Sequence, residues 1–305
     1  MPEKAQLVVK GKKLAVSNLD KVLYPKVGFT KGQVIDYYIR IAPLLLPHLK
    51  DRPLTMKRYP NGVDAKFFYE KNCPTHRPNW VKTAKVWSEG NNRMMDYCLA
   101  QDLPTLVWAA NLADLELHTS LSRKQNIGRP TMMVFDLDPG APADIVQCCQ
   151  VGLWLRDLLG TMKLKSWAKT SGSKGLQIYV PLNTAVSYDD TKGLSRALAQ
   201  LLEREHGKLV TSNMSKAVRK GKVFVDWSQN DEHKTTICVY SLRAKEEPTA
   251  STPVTWEEVQ NCWKKKKVDL LKFRCDKTVA RAQKMGDLFA PIEKLKQKLP
   301  KKWKL

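Results

Sequence analysis

The sequence lacks the long apolar segment that a transmembrane helix requires. No run of 18 apolar residues occurs among its 305 residues, and Pro43 interrupts the apolar stretch 41–46. The first residues have no apolar core of a secretory signal, and no myristoylation or prenylation motif is present. We therefore expect a cytoplasmic protein that does not have a membrane as its partner.

The cysteines lack the regular spacing that a disulfide framework would show. The seven cysteines are odd in number, and Cys148 and Cys149 are adjacent, so these two do not easily bond to each other. Such usage is typical of a reduced, intracellular protein. Cys73 and His76 alone have a zinc-like spacing, and because no further ligands lie nearby we expect ordinary loop residues there.

Several catalytic motifs are absent as well. The sequence contains neither a Walker A loop nor the Lys-x-Asp-Gly motif of ATP-dependent DNA ligases. It also lacks the His-Arg-Asp and Asp-Phe-Gly pair of protein kinases and the Gly-x-Ser-x-Gly elbow of many hydrolases. These absences exclude the corresponding enzyme classes.

Basic residues are present in excess. The chain has 52 Lys and Arg against 30 Asp and Glu, a net charge of +22, within an ordinary globular composition of 43% hydrophobic residues. This surplus attracts polyanions, with nucleic acid the leading class and an anionic membrane the second. From Asn261 onward 15 basic residues stand against 4 acidic ones, although the run Lys264–Lys267 is equally compatible with a solvated surface.

Hydrophobic periodicity predicts mixed helices and strands, and therefore an α/β or α+β core. A capping box at Thr30 opens a helix that we expect Pro43 and Pro47 to kink or end. Segment 103–117 is predicted to be mostly helical. Further helices are predicted after residues 144, 189 and 255, and strands at 54–59, 131–137, 167–170, 176–180, 223–227 and 235–240, the last two as an antiparallel pair.

Three aspartates in predicted strands carry the strongest chemical signal. Asp136 and Asp138 share one strand face, about 6–7 Å apart at the backbone. Asp226 lies in an apolar strand, where an unpaired carboxylate is costly. Such carboxylates suit Mg²⁺ or Mn²⁺ and two-metal nucleotidyl transfer. The residues alone leave alternatives open: an Asp138 turn beside a surface Asp136, and a salt bridge for Asp226.

Other residues are candidates for binding phosphate groups. Segment 170–176, Thr-Ser-Gly-Ser-Lys-Gly-Leu, combines small residues with the charge of Lys174, and a plain turn is its alternative. Arg243 follows a predicted strand, while His118 is equally compatible with a core or surface position. Lys31 follows the N-cap Thr30, where a helix dipole favours an anion. Surface lysines remain the alternative for Lys21 and Lys31.

Together these residues closely resemble the polymerase domain of bacterial ligase D, within the archaeo-eukaryotic primase superfamily. The resemblance covers nearly the whole chain, and the number and order of its motifs make it specific. The matching segments are Ser17–Pro25, Arg52–Thr55, Lys57–Arg58, Asn61–Asp64, Phe67–Phe68, Asn111–His118, Phe135–Gly140, Ser171–Gly175, Val223–Gln229 and Gly286–Pro291.

The resemblance implies one mixed α/β primase-polymerase domain over residues 1–295, with an RRM-like sheet and a second packed α/β layer. Its expected parts are an N-terminal part with DNA-end-binding elements (1–130), a catalytic core (131–245), a C-terminal helical part (246–295) and a basic tail (296–305).

The resemblance also assigns roles to residues. Asp136, Asp138 and Asp226 match ligands of two Mn²⁺ or Mg²⁺ ions. The matches around the incoming nucleotide are Lys57, His118, Ser171, Lys174, Gln177, Gln229 and Arg243. The matches to a pocket for a DNA 5′-phosphate are Asn18, Lys21 and Lys31, and those to a pair stacking on the template are Phe67 and Phe68.

One matched position departs from the family pattern, because Gln177 stands where the family has histidine. Glutamine keeps hydrogen-bonding groups but cannot carry the positive charge of a protonated imidazole. We therefore expect an altered affinity for the triphosphate or an altered rate.

By this resemblance the chain is expected to be a template-directed, gap-filling nucleotidyltransferase of non-homologous end joining, with a preference for ribonucleotides and Mn²⁺. Its expected partners are DNA with 5′-phosphorylated ends or gaps, NTPs, Ku and a separate DNA ligase, in a nucleoid-associated location. A primase that starts chains de novo is one alternative. A non-catalytic DNA-end scaffold for Ku and ligase is another, favoured by Gln177 and the basic tail and opposed by the three aspartates.

Overall fold

The computed structural model describes residues 4–300, where it places six α-helices and twenty β-strands. The helices are α1 (Lys31–Leu49), α2 (Leu103–Asn111), α3 (Ile145–Thr161), α4 (Tyr188–His206), α5 (Trp256–Lys265) and α6 (Cys275–Met285). The strands are β1 (Lys4–Val9), β2 (Lys12–Ser17), β3 (Val22–Tyr24), β4 (Phe29–Thr30), β5 (Leu54–Arg58), β6 (Phe68–Glu70), β7 (Lys82–Ser88), β8 (Arg93–Leu99), β9 (Asp114–Thr119), β10 (Ser122–Arg123), β11 (Asn126–Pro130), β12 (Met132–Pro139), β13 (Trp167–Thr170), β14 (Leu176–Pro181), β15 (Val210–Thr211), β16 (Val223–Asp226), β17 (Thr236–Ile237), β18 (Leu242–Arg243), β19 (Thr249–Ala250) and β20 (Pro253–Val254).

The chain divides into two compact units. Unit 1 takes residues 4–125, 235–251 and 273–286. Its main sheet is antiparallel with the order β17–β9–β5–β8–β7, and β6 also pairs with β5. Helix α1 contacts α2 and α6 and buries the predicted apolar stripe that begins at Val34.

Unit 2 takes residues 126–234, 252–272 and 287–300. Its sheet has the order β15–β16–β12–β14–β13–β20, and its pairs are antiparallel except for β15 with β16. Helix α3 contacts β12 and β14 of this sheet as well as helices α4 and α5. Helices α3, α4 and α5 are therefore the helical layer of unit 2.

The two faces of strand β12 differ in character. Gly152 of α3 lies against the side chains of Leu137 and Ile178, so this apolar face of the sheet packs on the helix. Successive strand residues point to opposite faces, and Asp136 and Asp138 therefore project from the face away from α3. The alternation explains why a mostly buried strand carries two acidic residues.

Helix α1 corrects the expectation that its prolines kink or end it. The capping box at Thr30 is present, and the helix continues through Pro43 and Pro47 to Leu49. Tertiary packing of an apolar face contributes most of a helix's stability in proteins, and α1 packs on two other helices. Packing therefore outweighs the lost N–H groups of the two prolines.

The prediction of a mostly helical segment 103–117 is wrong in its second half. Helix α2 ends at Asn111, Ala113 adopts a left-handed φ of 56°, and strand β9 begins at Asp114. From that point leucines alternate with polar residues, the period of a strand. The boundary brings Glu116 and His118 into the main sheet of unit 1.

The predicted antiparallel pair of strands at 223–227 and 235–240 is also wrong. Strand β16 pairs with β12 and β15 in unit 2. Strand β17 is shorter than predicted and pairs with β9 in unit 1. The intervening polar loop therefore leads from one unit to the other rather than closing a hairpin.

Cysteine chemistry departs from the expectation of a fully reduced chain. Cys73 and Cys98 form a disulfide, which removes the candidate zinc ligand beside His76. The other five cysteines are buried free thiols. Both disulfide partners lie in unit 1, where β8 carries Cys98.

The predicted mixed α/β fold is confirmed by these two helix-packed sheets. Within the described range, 4–300, no helix has both the length and the apolar character needed to cross a membrane. The last five residues of the predicted basic tail 296–305 lie outside that range.

A glycine in unit 2 provides a test of the close packing between β12 and the loop before β14. A Cβ atom on Gly175 would lie 2.4 Å from the carbonyl oxygen of Leu137, whereas one on Gly160 would have no neighbour within 4 Å. We expect Gly175→Ala to lower the free energy of unfolding by about 3 kcal/mol through overpacking. Gly160→Ala, in helix α3, should be neutral or stabilising by up to about 1 kcal/mol. Urea unfolding of both variants measures the difference, and equal stabilities would contradict this close packing.

Candidate active site

Strand pairing in unit 2 places the three predicted catalytic aspartates on one face of the sheet. Asp136 of β12 lies directly opposite Asp226 of β16. Asp138 follows two residues later and shares that face. Opposed residues of neighbouring strands have Cβ atoms about 4.5–5.5 Å apart, which holds Asp136 close to Asp226. Backbone register alone brings the three side chains together, while their role as metal ligands stays a prediction.

Neutral donors satisfy the carboxylate of Asp226, which is only 9% exposed. One oxygen accepts hydrogen bonds from the backbone N–H of Ser228 (2.9 Å) and from its hydroxyl (2.5 Å). The other oxygen accepts from Nε2 of Gln229 at 2.9 Å. Asp226 is thus the N-cap of the 3₁₀ turn Trp227–Gln229, which fixes its orientation at the end of β16.

The carboxylate of Asp136 is less satisfied than that of Asp226. Its Oδ1 is buried and has no hydrogen-bond partner among residues 4–300. Burial, together with the nearby charges of Asp138 and Asp226, raises the pKa of Asp136 to about 7 against the opposing effects of Gln177 and Lys169. A carboxyl group that is costly to ionise in isolation gains most from a nearby cation.

The carboxylates offer a divalent cation one free oxygen ligand and a partly occupied one. Hard cations favour carboxylate oxygens, and the buried, unpartnered Oδ1 of Asp136 is a free ligand of that type. Across residues 4–300, however, no group of three or more His, Cys, Asp or Glu side chains stands ready as a metal site. Asp226 is held by its own donors, so it would serve as the third ligand through its remaining lone pairs.

A row of polar residues continues from the aspartates across the sheet. Register places Asp226, Asp136, Gln177 and Lys169 opposite one another in β16, β12, β14 and β13. Lys169 is fully buried, and its Nζ donates a hydrogen bond of 2.5 Å to Oε1 of Gln177. Sequence reasoning missed Lys169, although a charged residue within an apolar strand is the signal that revealed Asp226.

The Ser/Gly loop connects β13 to β14 beside the aspartates. The hydroxyl of Ser171 accepts hydrogen bonds from the backbone N–H groups of Ser173 and Gly175, at 3.2 and 3.1 Å. In a phosphate-binding loop these two backbone N–H groups would point to the anion, whereas here they point to the hydroxyl of Ser171. The side chain of Lys174 is exposed at the tip. The close approach of Gly175 to Leu137 ties this loop to β12.

In unit 1, three of the predicted nucleotide-binding residues lie close to the carboxylate of Glu116 in β9. This carboxylate lies 3.4 Å from Nζ of Lys57, 3.0 Å from Nε2 of His118 and 3.3 Å from Nε of Arg243. The backbone N–H of Ala244 donates to the same carboxylate at 3.0 Å. Lys57 lies opposite Glu116 in the sheet, and His118 follows on the same face.

These partners determine the charges within the cluster. The pKa of Glu116 lies well below its usual range, because hydrogen bonding from His118 and the charge of Arg243 outweigh burial. Burial lowers the pKa of His118, against the raising effect of Glu116. Glu116 is therefore ionised at neutral pH, and the positive charge beside it comes from Lys57 and Arg243. Sequence reasoning did not single out Glu116, which lies within the matched segment Asn111–His118.

An exposed aromatic group adjoins this cluster. Phe67 and Phe68, the predicted stacking pair, are 43% and 42% exposed. Nζ of Lys57 lies 4.2 Å from the ring centroid of Phe67, while Arg58 lies 5.0 Å from that of Phe68. Tyr69, which the sequence reasoning missed, is 56% exposed and packs edge-on against Phe67. Cation–π contacts of this kind hold apolar rings at the surface.

The three residues predicted to bind a 5′-phosphate also meet in unit 1. The backbone N–H of Lys21 donates to the carbonyl of Asn18, and that of Lys31 donates to the carbonyl of Lys21. Nζ of Lys21 donates to Oδ1 of Asn61 at 2.9 Å. Asn18 and Lys21 line a surface cavity of 660 Å³. The turn at Asn18, with its left-handed φ of 54°, therefore seats Lys21 against the start of helix α1.

Lys31 is a buried cation without an acidic partner in the part of the chain that the structure describes. The residue is 6% exposed, and its Nζ donates to the carbonyl of Ser17 at 2.6 Å. Burial, together with the charges of Lys21 and Arg58, lowers the pKa of Lys31 to about 8. An anion at this helix N-terminus would relieve the repulsion.

The raised pKa of Asp136 predicts a pH-dependent cost in stability. Its folded-state pKa of about 7 exceeds the ordinary value of 3.8, so the cost is absent at low pH and grows as pH rises through this window. We expect Asp136→Asn, in EDTA, to exceed the wild type in unfolding free energy by about 2–4 kcal/mol at pH 8 and by little at pH 4. Urea unfolding at both pH values measures this. Asp269→Asn, at an exposed position, is the control, and a gain independent of pH would contradict the assignment.

Comparison with known proteins gives consistent matches over most of the chain. The family model described as LigD, primase-polymerase domain, matches residues 30–289. A multifunctional non-homologous end joining protein LigD of Mycolicibacterium smegmatis is 40% identical over 283 residues, which are 92% of this chain and 36% of that protein. A bifunctional LigD protein of Bacillus subtilis is 34% identical over 250 residues, 82% of this chain and 40% of that protein. The chain therefore spans well under half the length of these relatives.

A solved structure agrees with the sequence matches. The polymerase domain of Mycobacterium tuberculosis ligase D, in complex with DNA, matches with a TM-score of 0.85 and 39% identity. The match covers 92% of this chain and 98% of that one. By its family model, its relatives and its fold, the chain belongs to the LigD primase-polymerase family.

Proposed function

We propose that this chain is a template-directed nucleotidyltransferase that fills gaps during the non-homologous joining of DNA ends. The observation that carries the proposal is the convergence of Asp136, Asp138 and Asp226 on one sheet face, in a member of the LigD primase-polymerase family. The names of the relatives and the DNA complex of the structural neighbour support the same conclusion.

The three aspartates would hold two Mn²⁺ or Mg²⁺ ions. When bound, such ions activate an attacking 3′-hydroxyl and stabilise the charge that develops on the transferred phosphate. The protein's own contribution is to fix the ligands on rigid strands, which limits reorganisation during the reaction. Ser228 and Gln229 donate hydrogen bonds to Asp226, and Gln177 lies directly opposite Asp136 in the sheet.

The residues predicted to bind the nucleotide have suitable chemistry. In unit 1, Lys57 and Arg243 offer fixed positive charge, and His118 offers a hydrogen-bonding ring, which suits the phosphates of an NTP. In unit 2, Lys174 is exposed at the tip of the loop after β13. Gln177 lies in the polar row beside Asp136, where it replaces the family's histidine without adding charge.

The second part of the proposal concerns how the protein binds DNA ends. The Lys21 and Lys31 pair would bind a 5′-phosphate, with Asn18 shaping the turn that supports them. Phe67 and Phe68 would stack on bases of the template, which is tolerant of sequence and so suits breaks of any sequence. A preference for ribonucleotides and Mn²⁺, and partnership with Ku and a separate ligase, complete the proposal from the family resemblance.

The deciding experiment is extension of a primer across a short gap with each NTP and dNTP, in Mg²⁺ or Mn²⁺. We expect Asp226→Asn to reduce extension about 10³-fold or more while DNA binding is largely unchanged, because an ion ligand is lost. Asp269→Asn, at an exposed position, should extend like the wild type. Most activity surviving in Asp226→Asn would end the metal assignment, and dinucleotide synthesis on unprimed template would favour a primase.

The 5′-phosphate pocket makes a separate prediction. The wild type should prefer gapped DNA ending in a 5′-phosphate over the same DNA ending in a 5′-hydroxyl by about 1.5–3 kcal/mol, the scale of a charged hydrogen bond. Lys21→Ala should remove most of this preference and barely change the affinity for unbroken duplex. Lys13→Ala, at an exposed lysine of β2, should keep the preference. Fluorescence anisotropy on the three DNAs tests this, and equal losses on all of them would make Lys21 a general phosphate contact.

A further inference from the structure

Lys169 is the buried cation of the catalytic sheet. It lies in strand β13, has no exposed surface, and stands in register with Gln177, which in turn stands in register with Asp136. A buried ammonium group is costly unless hydrogen-bond acceptors surround it. The cost of burying this charge indicates that Lys169 does more than fill the core of the unit.

Gln177 lies between Lys169 and Asp136 in the register of the sheet. Nζ of Lys169 donates a hydrogen bond of 2.5 Å to Oε1 of Gln177, and the hydroxyl of Tyr179, which can donate or accept, lies 3.5 Å from the same oxygen. On its other side Gln177 lies directly opposite Asp136 and opposes the rise in the pKa of that carboxyl. Because an ionised carboxylate only accepts, the Gln177 amide stabilises it by turning its NH₂ towards it.

Lys169 thereby determines which way the amide points. The two orientations of a glutamine amide have nearly the same shape and differ only in their partners. A lysine offers donors alone, so the amide oxygen must face Lys169 and the NH₂ must face Asp136. In the reversed orientation the amide oxygen would face the carboxylate of Asp136, which is repulsive. The orientation seen here directs the NH₂ towards Asp136, whose buried Oδ1 has no hydrogen-bond partner within the described range 4–300.

We propose that Lys169 is a positioning residue that acts through Gln177 to hold the Asp136 carboxylate in the orientation that binds the divalent cation. This inference rests on the proposed metal-dependent function. It also gives Gln177 a role distinct from that of a phosphate contact. Partners of metal ligands commonly change metal affinity about 10–100-fold when they are removed.

Two other roles for Lys169 predict different outcomes. If Lys169 only stabilises the fold, its removal lowers stability without a specific loss of metal affinity. If its charge acts on the site directly, its effect is independent of Gln177. Action through Gln177 instead requires that the two residues be coupled, so that the second substitution adds little to the first.

The experiment compares Lys169→Met, Gln177→Leu and the double variant by calorimetric titration of Mn²⁺ into the DNA-free protein. We expect each single variant to bind Mn²⁺ about 10–100-fold more weakly, with the double variant no weaker than the worse single one. Lys165→Met removes an exposed lysine just before β13 and should keep wild-type affinity. Additive losses, or unchanged affinity in both single variants, would overturn the proposal.

A conservative variant guards against a purely structural explanation. A neutral imidazole has one acceptor and one donor nitrogen, so Gln177→His should keep most of the Mn²⁺ affinity while Lys169 is present. If Lys169→Met does not fold, a loss in Gln177→Leu with retention in Gln177→His still supports the link. Equal affinity in wild type, Gln177→Leu and Gln177→His refutes it.

The outcome for the wild type separates this inference from the proposed function. Absence of both Mn²⁺ binding and gap filling in the wild type would refute the proposed function itself. Mn²⁺ binding and gap filling in the wild type, together with unchanged affinity in Lys169→Met, would refute only the positioning role. Thermal unfolding of each variant shows whether a loss of affinity follows from a loss of fold.

Discussion

The main constraint on unit 2 is that three carboxylates lie close together on one face of its sheet, while the opposite face packs against helix α3. Asp136, Asp138 and Asp226 share the face away from α3, and their mutual repulsion adds to the cost of burial. The surrounding residues reduce this cost only in part. Asp226 receives donors at both oxygens, whereas Asp136 keeps one oxygen without a partner. The remaining cost marks where a cation would be most stabilising.

In both units most of the buried candidate site residues lie on strands rather than on loops. Glu116 and His118 in β9, Lys57 in β5 and Asp136 in β12 are each fixed by cross-strand neighbours. Strands hold side chains more precisely than loops do, because the backbone ladder sets both spacing and face. The exposed groups, such as Lys174 and Phe67, lie instead at a loop tip and beside a strand end, where a ligand can reach them.

Local sequence pattern predicted much of this arrangement. The period of two places Asp136 and Asp138 on one face, and an acidic residue in an apolar strand draws attention to Asp226. Register is a long-range property, so nothing local shows that Asp226 pairs with Asp136 or that Lys169 meets Gln177. The same limit applies to the disulfide between Cys98 of β8 and Cys73 in the segment before β7, and to the partner strands of β16 and β17.

The aromatic pair and the 5′-phosphate pocket were predicted through the family resemblance rather than through residue pattern. Phe67 and Phe68 carry no periodic signal, and lysines such as Lys21 are common on surfaces. The structure adds contacts that support them, with Arg58 beside Phe68 and Asn61 beside Lys21. Their roles stay predictions until DNA binding is measured.

The buried carboxylate of Glu116 would make the proposed anion binding in unit 1 an exchange of counter-ions. Lys57 and Arg243 are already neutralised in part by Glu116, so an arriving phosphate would compete for groups that have an internal partner. The long-range attraction of a phosphate to Lys57 and Arg243 is therefore weaker than it would be without the negative charge of Glu116. In return, the side chains are ordered before the ligand arrives, which lowers the entropic cost of binding. When such a ligand left, Glu116 would pair with the same donors again, and this internal counter-ion would favour rapid turnover over tight retention.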